Sequence, residues 1–289
     1  MTKTRTMWIK ISIVLILTFI SIAGRFAIRY DHGLLIHGDG FYYYAYGRSL
    51  LYDGDLDFLN EYDFYRSVQE RNTLGDGYGF DEKRLTPTGM VPNPWAVGMA
   101  FFLFPFFLAG AGVHLVLSKF FMVSAVYAGY SFAEQFTWLF GSALYGSVGV
   151  VIVYSILCKY VEEKIALLAT IATLLATNLV YYVVIATWVA HGISFFIVSL
   201  YFYFWEYTRQ NRSIWQWWIL GILGGLCFLV RWQNILFNIV VVIERIILFY
   251  QSFQKITRRQ YLKIIQFGGC FIGGLLAGML PQLLAWRSL

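Results

Sequence analysis

Charge is what this chain has least of. Only 13% of its 289 residues are Asp, Glu, Lys or Arg, against roughly 25% in a typical soluble domain. With 59% of residues hydrophobic and a mean hydropathy of +0.61, that shortage excludes a water-soluble globule, which could not hide so much apolar surface. Cysteine is scarce too. Cys158, Cys227 and Cys270 lie far apart, in or beside apolar runs. They form no metal or redox spacing and read as small apolar side chains. There is no GxxxxGK[ST] phosphate loop, no HExxH, no GxSxG and no CxxC. Gly75-Asp76-Gly77-Tyr78-Gly79 is glycine-rich, but no strand or helix frames it as a nucleotide site. Internal repeats and low-complexity tracts are absent. The net charge of +6 comes from short basic tracts between apolar runs, where it sets membrane topology and gives no reason to expect a nucleic-acid partner.

What the chain has in abundance is membrane-length apolar sequence. The expected fold is an all-α polytopic membrane protein, a single module over residues 1–289, with about nine transmembrane helices. Their expected positions are 7–28, 94–110, 112–130, 132–157, 164–186, 189–207, 214–231, 235–252 and 264–285. Lys3, Arg5 and Lys10 precede the first of these, a pattern that also fits a signal peptide cleaved near Ala23-Gly24. Lys255, Arg258, Arg259 and Lys263 mark a cytoplasmic loop. Counting back from them places Arg209, Arg212, Lys159 and Lys164 inside, and the turn at Thr187–His191 and Arg231 outside. Counting forward places residues 29–93 outside, and the two counts agree if 94–130 crosses twice. Lys119 and His114 interrupt the second of those crossings, so one crossing with a re-entrant piece competes. The long first extracytoplasmic loop, 29–93, is the only substantial hydrophilic block and is expected to carry one or two interfacial amphipathic helices. Gly221…Gly225, Gly269…Gly273 and Gly274…Gly278 have the spacing that lets helices approach closely in lipid.

A few residues stand out against this background. In His37-Gly38-Asp39-Gly40-Phe41-Tyr42-Tyr43-Tyr44 a carboxylate sits between two glycines, where the backbone can approach a ligand. At headgroup depth Asp39 suits proton abstraction from a hydroxyl, or metal binding, equally with a turn aspartate bonded to its own backbone. The run Asp53-Gly54-Asp55-Leu56-Asp57 begins like a calcium loop, but Phe58 and Phe64 stand where an EF-hand needs glycine and glutamate. A looser divalent-metal site of Asp39, Asp55 and Asp57 competes with a solvated turn. His191 and Glu134 begin apolar segments on the same expected side as Asp39, where ionisable groups are functional candidates. Arg231 caps a segment on that side and suits a lipid phosphate, held bidentately; the alternative is a snorkelling topology charge. Glu244-Arg245 lie inside a segment but cannot share a helix face.

Four stretches together resemble the membrane glycosyltransferases of the GT-C superfamily, nearest to the bacterial relatives of the dolichyl-phosphate-mannose–protein mannosyltransferases (glycosyltransferase family 39-like). The first is Gly38-Asp39-Gly40 with Tyr42, Tyr43 and Tyr44, followed by Arg48-Ser49-Leu50 and Asp53 to Phe58. The others are Asn93-Pro94-Trp95-Ala96-Val97-Gly98, Trp188 to His191 with Ser194-Phe195-Phe196, and Arg231-Trp232-Gln233-Asn234. The resemblance implies a helical module whose first outer loop lies over a cavity. It also implies sugar transfer from a polyprenyl-phosphate donor to a lipid, glycan or protein acceptor on the extracytoplasmic face of the bacterial inner membrane. By analogy Asp39 matches the loop aspartate that acts as base or metal ligand, and His191 stands where relatives place a second polar group, often acidic. Tyr42 to Tyr44, Arg48, Arg231 and Glu134 become candidates for substrate binding, and a divalent metal a candidate cofactor. Relatives usually continue with more helices, so a C-terminal truncation is expected. The rival readings are a transporter or flippase of a lipid-linked saccharide, disfavoured by the few mid-membrane charges and the lack of a repeat, and a non-catalytic scaffold.

Overall fold

A computed structural model describes residues 3–27, 34–71, 85–121, 128–252 and 258–289. The glycine-rich stretch 75–79 and Lys255 lie outside the described residues. Within them every regular element is helical: α1 (Lys3–Ala27), α2 (Asp39–Arg48), α3 (Leu59–Arg71), α4 (Gly98–Phe121), α5 (Phe132–Leu157), α6 (Glu163–Ala176), α7 (His191–Thr208), α8 (Ile214–Val230), α9 (Ile239–Ser252) and α10 (Arg258–Ser288). Four of these helices hold spans long and apolar enough to cross a membrane: Thr6–Gly24, Gly98–Phe120, Phe132–Leu157 and Tyr261–Ser288.

Local sequence explains the helix starts. Ser131 with Glu134, and Ser213 with Gln216, form reciprocal capping boxes at the starts of α5 and α8, satisfying backbone N–H groups that the first turn leaves unpaired. The glycine spacings work where α8 and α10 meet. Gly225 and Gly278 face each other, Gly221 meets Phe271 and Leu275, and Gly273 and Gly274 meet Trp218. Gly269 has nothing within 4 Å, so this expected contact is not made.

Three expected segments change form. The break between 94–110 and 112–130 is absent, because α4 runs as one helix from Gly98 to Phe121 despite Pro105. His114 and Lys119 sit on its surface rather than at a turn, so they do not interrupt it. The segment 164–186 ends as an α-helix at Ala176; a π-helical turn, Tyr181–Ile185, then leads to the turn before α7.

Helix register places the site. α4 lies antiparallel to α5: Gly110 meets Ala133 and Glu134, while Gly141 meets Leu103 and Phe106. Gly98, at the start of α4, meets Leu229 and Val230 at the end of α8. Gly192, at the start of α7, meets Ser142 of α5 and not its first turn. α5 therefore overhangs α7 by about ten residues, or about 15 Å at 1.5 Å per residue. α2 packs against this overhanging hairpin: Tyr44 stacks edge-on against Phe107 and Trp138 at 5.1 and 5.0 Å. The first loop does fold into two helices, but α2 is not amphipathic on a membrane surface, since Gly40 through Gly47 are all buried. Glycine and tyrosine are poor helix formers, and burial on every side supplies what propensity does not.

Candidate active site

The Gly-Asp-Gly turn is the N-terminus of α2. Gly38 has φ +53° and precedes the helix, a left-handed conformation costly for a residue with a Cβ. Its N–H donates to the Tyr65 hydroxyl at 3.1 Å, and Tyr65 stacks on Phe41 at 4.2 Å. Gly40 lies against the turn before α7, where a Cβ would come 2.8 Å from the Trp188 Cβ. No other residue fits at that approach. His37 meets the same Trp188 ring edge-on at 6.0 Å. Asp39, between the two glycines, is exposed.

Across from this turn stand His191 and Arg231. Tyr182, delivered by the π-helical turn, stacks on the His191 ring at 3.9 Å. Arg231 ends α8 in extended conformation, and its Nη1 donates to His191 Nδ1 at 2.6 Å. A guanidinium has only donors, so Nδ1 must accept; this makes the imidazole neutral and puts its proton on Nε2. Asn234 pins the turn after Arg231: its N–H donates to the Arg231 carbonyl at 2.9 Å and its Nδ2 to Ser194 Oγ at 2.8 Å. No carboxylate pairs with Arg231 among the described residues.

Tyr43 joins the two sides. Burial pushes its phenol up to about 12, with Arg231 pulling it down and Asp39 pushing it up. The ring thus lies within electrostatic reach of both charges. Its neighbours in sequence do not share that position. Successive helical residues point about 100° apart, so the three tyrosines face three ways. Tyr42 stacks flat on Trp95 at 4.1 Å, and the buried Tyr44 donates to the Gly129 carbonyl at 2.6 Å.

The remaining candidates stand elsewhere. Arg48 pairs with Asp53 and, at 2.8 Å, with Glu61, tying α2 to α3. Glu134 is fully buried, accepts from the Ser131 N–H at 2.8 Å and takes the Tyr52 hydroxyl. Asp55 Oδ1 accepts from Ser49 Oγ at 3.0 Å, and Asp57 Oδ1 from the N–H groups of Val91 and Leu59 at 3.0 and 3.3 Å. Asp39 and Asp55 flank the helical run 39–53, about 20 Å at helical rise, and no group of three His, Cys, Asp or Glu side chains converges among the described residues. These residues do not make one donor set for a divalent metal.

Two contributors escaped the sequence. Tyr182 had no signal, because only the π-helical turn brings it under His191. Glu61 lies in the acidic stretch, yet nothing local marks it as the partner of Arg48. Burial raises its carboxyl to about 7, while Arg48 opposes the rise.

Residues 119–277, just over half of the chain, match the dolichyl-phosphate-mannose-protein mannosyltransferase family. The chain belongs to this family. The matched stretch includes His191 and Arg231 and begins beyond Asp39. No curated protein and no solved structure matches the chain. Membership in the mannosyltransferase family makes it a membrane glycosyltransferase of the GT-C type, a family that draws sugars from polyprenyl-phosphate donors. That activity agrees with a sequence lacking any nucleotide-binding motif.

Proposed function

We propose that the chain transfers a sugar from a polyprenyl-phosphate donor to an acceptor hydroxyl at the end of the bundle bearing Asp39, His191 and Arg231, and that this end faces the extracytoplasmic side. One observation carries the reading. Arg231 is held in place by a neutral imidazole and, among the described residues, by no carboxylate, so its charge is left for an anionic group. Its other guanidinium N–H groups can take a phosphate bidentately, which stabilises the charge that develops on the leaving polyprenyl phosphate.

The acceptor hydroxyl attacks the anomeric carbon as the sugar–phosphate bond breaks, inverting that centre. Asp39 accepts the hydroxyl proton as general base. His191 orients Arg231 and offers its Nε2–H to the donor. Tyr43 lines the space between the two charges, and the Trp188 turn sets how closely α2 approaches α7. No step is routed through a metal. Tyr42 and Tyr44 anchor α2 through Trp95 and the Gly129 carbonyl, and Arg48 and Glu134 hold the loop in shape.

The test is sugar transfer by the purified full-length protein from labelled polyprenyl-phosphate sugars, wild type against Asp39→Asn. Transfer by the wild type and not by the variant supports the reading. Equal transfer by both removes Asp39 from the mechanism. Lipid flip without transfer by either overturns the assignment of this site to glycosyl transfer.

A further inference from the structure

A second candidate site lies at the opposite end of the bundle from Arg231. α9 stands away from α10, leaving a cavity of about 650 Å³ lined by Trp217 of α8, Val241, Arg245 and Ile246 of α9, and Ile264 and Phe271 of α10. Its walls are otherwise apolar. At this volume it falls within the usual range for small-molecule sites, roughly 300–1,000 Å³.

The polar end of the cavity carries an imbalance of charge. Glu244 takes the Trp205 indole N–H at 2.6 Å and Arg212 at 3.2 Å. Arg245 reaches that same carboxylate only at 3.5 Å. Two guanidiniums therefore share one carboxylate, leaving one positive charge over. Both stack on Trp217, Arg212 at 4.4 Å and Arg245 at 4.0 Å from the ring centre. Arg245 Nε and Trp217 Nε1 are buried without a hydrogen-bond partner. About a third of the Arg245 side chain stays open. Trp217 lies in the first turn of α8, so this charge sits near headgroup depth. The apolar walls run from it both ways along α9, to Val241 on one side and to Ile246 and Tyr250 on the other, and along α10 from Ile264 to Ile272. Arg258, Arg259 and Lys263 begin α10 at the same end.

We infer that this cavity holds one acyl chain of an anionic phospholipid drawn from the leaflet at that end, with the lipid phosphate on Arg245. An apolar slot with a surplus cation on its wall suits an amphiphile with an anionic head. A zwitterionic lipid cannot cancel the surplus charge, and free phosphate leaves the slot unfilled. Bound lipid would supply α9 with the packing that α10 does not give it.

The test is native mass spectrometry of the full chain, released from detergent after exchange into phosphatidylglycerol, phosphatidylcholine or inorganic phosphate. The wild type is expected to retain one phosphatidylglycerol per chain. Arg245→Gln should retain it at least about tenfold less, as a charged hydrogen-bonding partner is lost. Gly268→Phe fills the cavity from α10, where Gly268 has nothing within 4 Å, and should lose the lipid equally. Equal retention of phosphatidylcholine, retention by Arg245→Gln within tenfold of wild type, or a dimer that lipid does not dissociate would each overturn the proposal.

Discussion

The two ends of this bundle use their cations differently. At one end the cations meet carboxylates: Arg212 pairs with Glu244, and Lys159 and Arg209 share the buried Glu206 at 2.6 and 3.2 Å. These pairs join α5, α7 and α9 where the helices leave the bundle, and their charge is consumed within the protein. At the other end Arg231 meets His191 and, among the described residues, no carboxylate, while the exposed carboxylate of Asp39 lies across Tyr43. A charge set beside a neutral partner keeps its field for something outside the protein. The contrast separates residues that hold the fold from residues proposed to meet a substrate. Arg245 differs from the other cations at that end: it reaches Glu244 only at 3.5 Å and lines a cavity, which is why that end carries the lipid proposal.

The largest effect is expected at Asp39. Asp39→Asn should lower sugar transfer by about 10²–10⁴-fold and leave the thermal unfolding midpoint in detergent unchanged, because the side chain is exposed. A large drop in the midpoint would make Asp39 structural and break the comparison. Arg212→Gln should do the reverse. It removes the main partner of a mostly buried carboxylate and should cost about 2–3 kcal/mol of stability, read by chemical denaturation, with specific activity of the folded fraction kept. Arg231→Gln should weaken donor use by about 10–100-fold, the worth of a charged hydrogen bond. Arg231→Lys should recover only part of this, because it loses the bidentate fork; full recovery by lysine would mean that Arg231 acts as a point charge. Gly40→Ala sharpens the picture further. It forces α2 away from Trp188 and should cost about 1–3 kcal/mol of stability, together with transfer activity.

The smallest effect is a slope with pH. The Glu61 carboxyl is raised from 4.5 to about 7 by burial, so the native state binds its proton more tightly than the unfolded chain does. Stability from this group is fully present below pH 4.5 and is lost as pH rises through about 7. The slope is at most about 1.4 kcal/mol per pH unit. Unfolding midpoints measured between pH 5 and pH 8 should fall in the wild type and stay flatter in Glu61→Gln. An equal fall in both would remove Glu61 as the cause.

Much of the fold could be read directly. Residues 132–157 and 214–231 were expected as helices, and α5 and α8 occupy Phe132–Leu157 and Ile214–Val230. Long apolar runs bounded by capping serines leave the backbone few alternatives. Where the reading failed, a long apolar run was divided between 110 and 112, and α4 instead runs unbroken from Gly98 to Phe121. His114 and Lys119 look like interruptions in sequence, but they lie on the half-buried and exposed sides of the C-terminal half of α4 without breaking it. The site was legible in its charged members and not in its aromatic ones. Asp39 is marked by flanking glycines and Arg231 by its place at the end of an apolar segment. A run of three tyrosines says nothing of which one faces the ligand.

Composition and apolar run length by themselves determined that this chain is a helical membrane protein, because apolar runs of about 20 residues satisfy their own backbone in lipid as helices, whereas barrel strands need only about 10 residues. The glycines around Asp39 determined that a carboxylate would be presented at a tight turn. Tertiary structure decided the rest. Only the register of α4 and α5 turns Tyr44 and Glu134 into the core, and only the meeting of α7 with the end of α8 joins His191 to Arg231 across 40 residues of sequence. Hydrophobic pattern specifies that a helix is buried, while the partner met at each face depends on packing that no local pattern encodes.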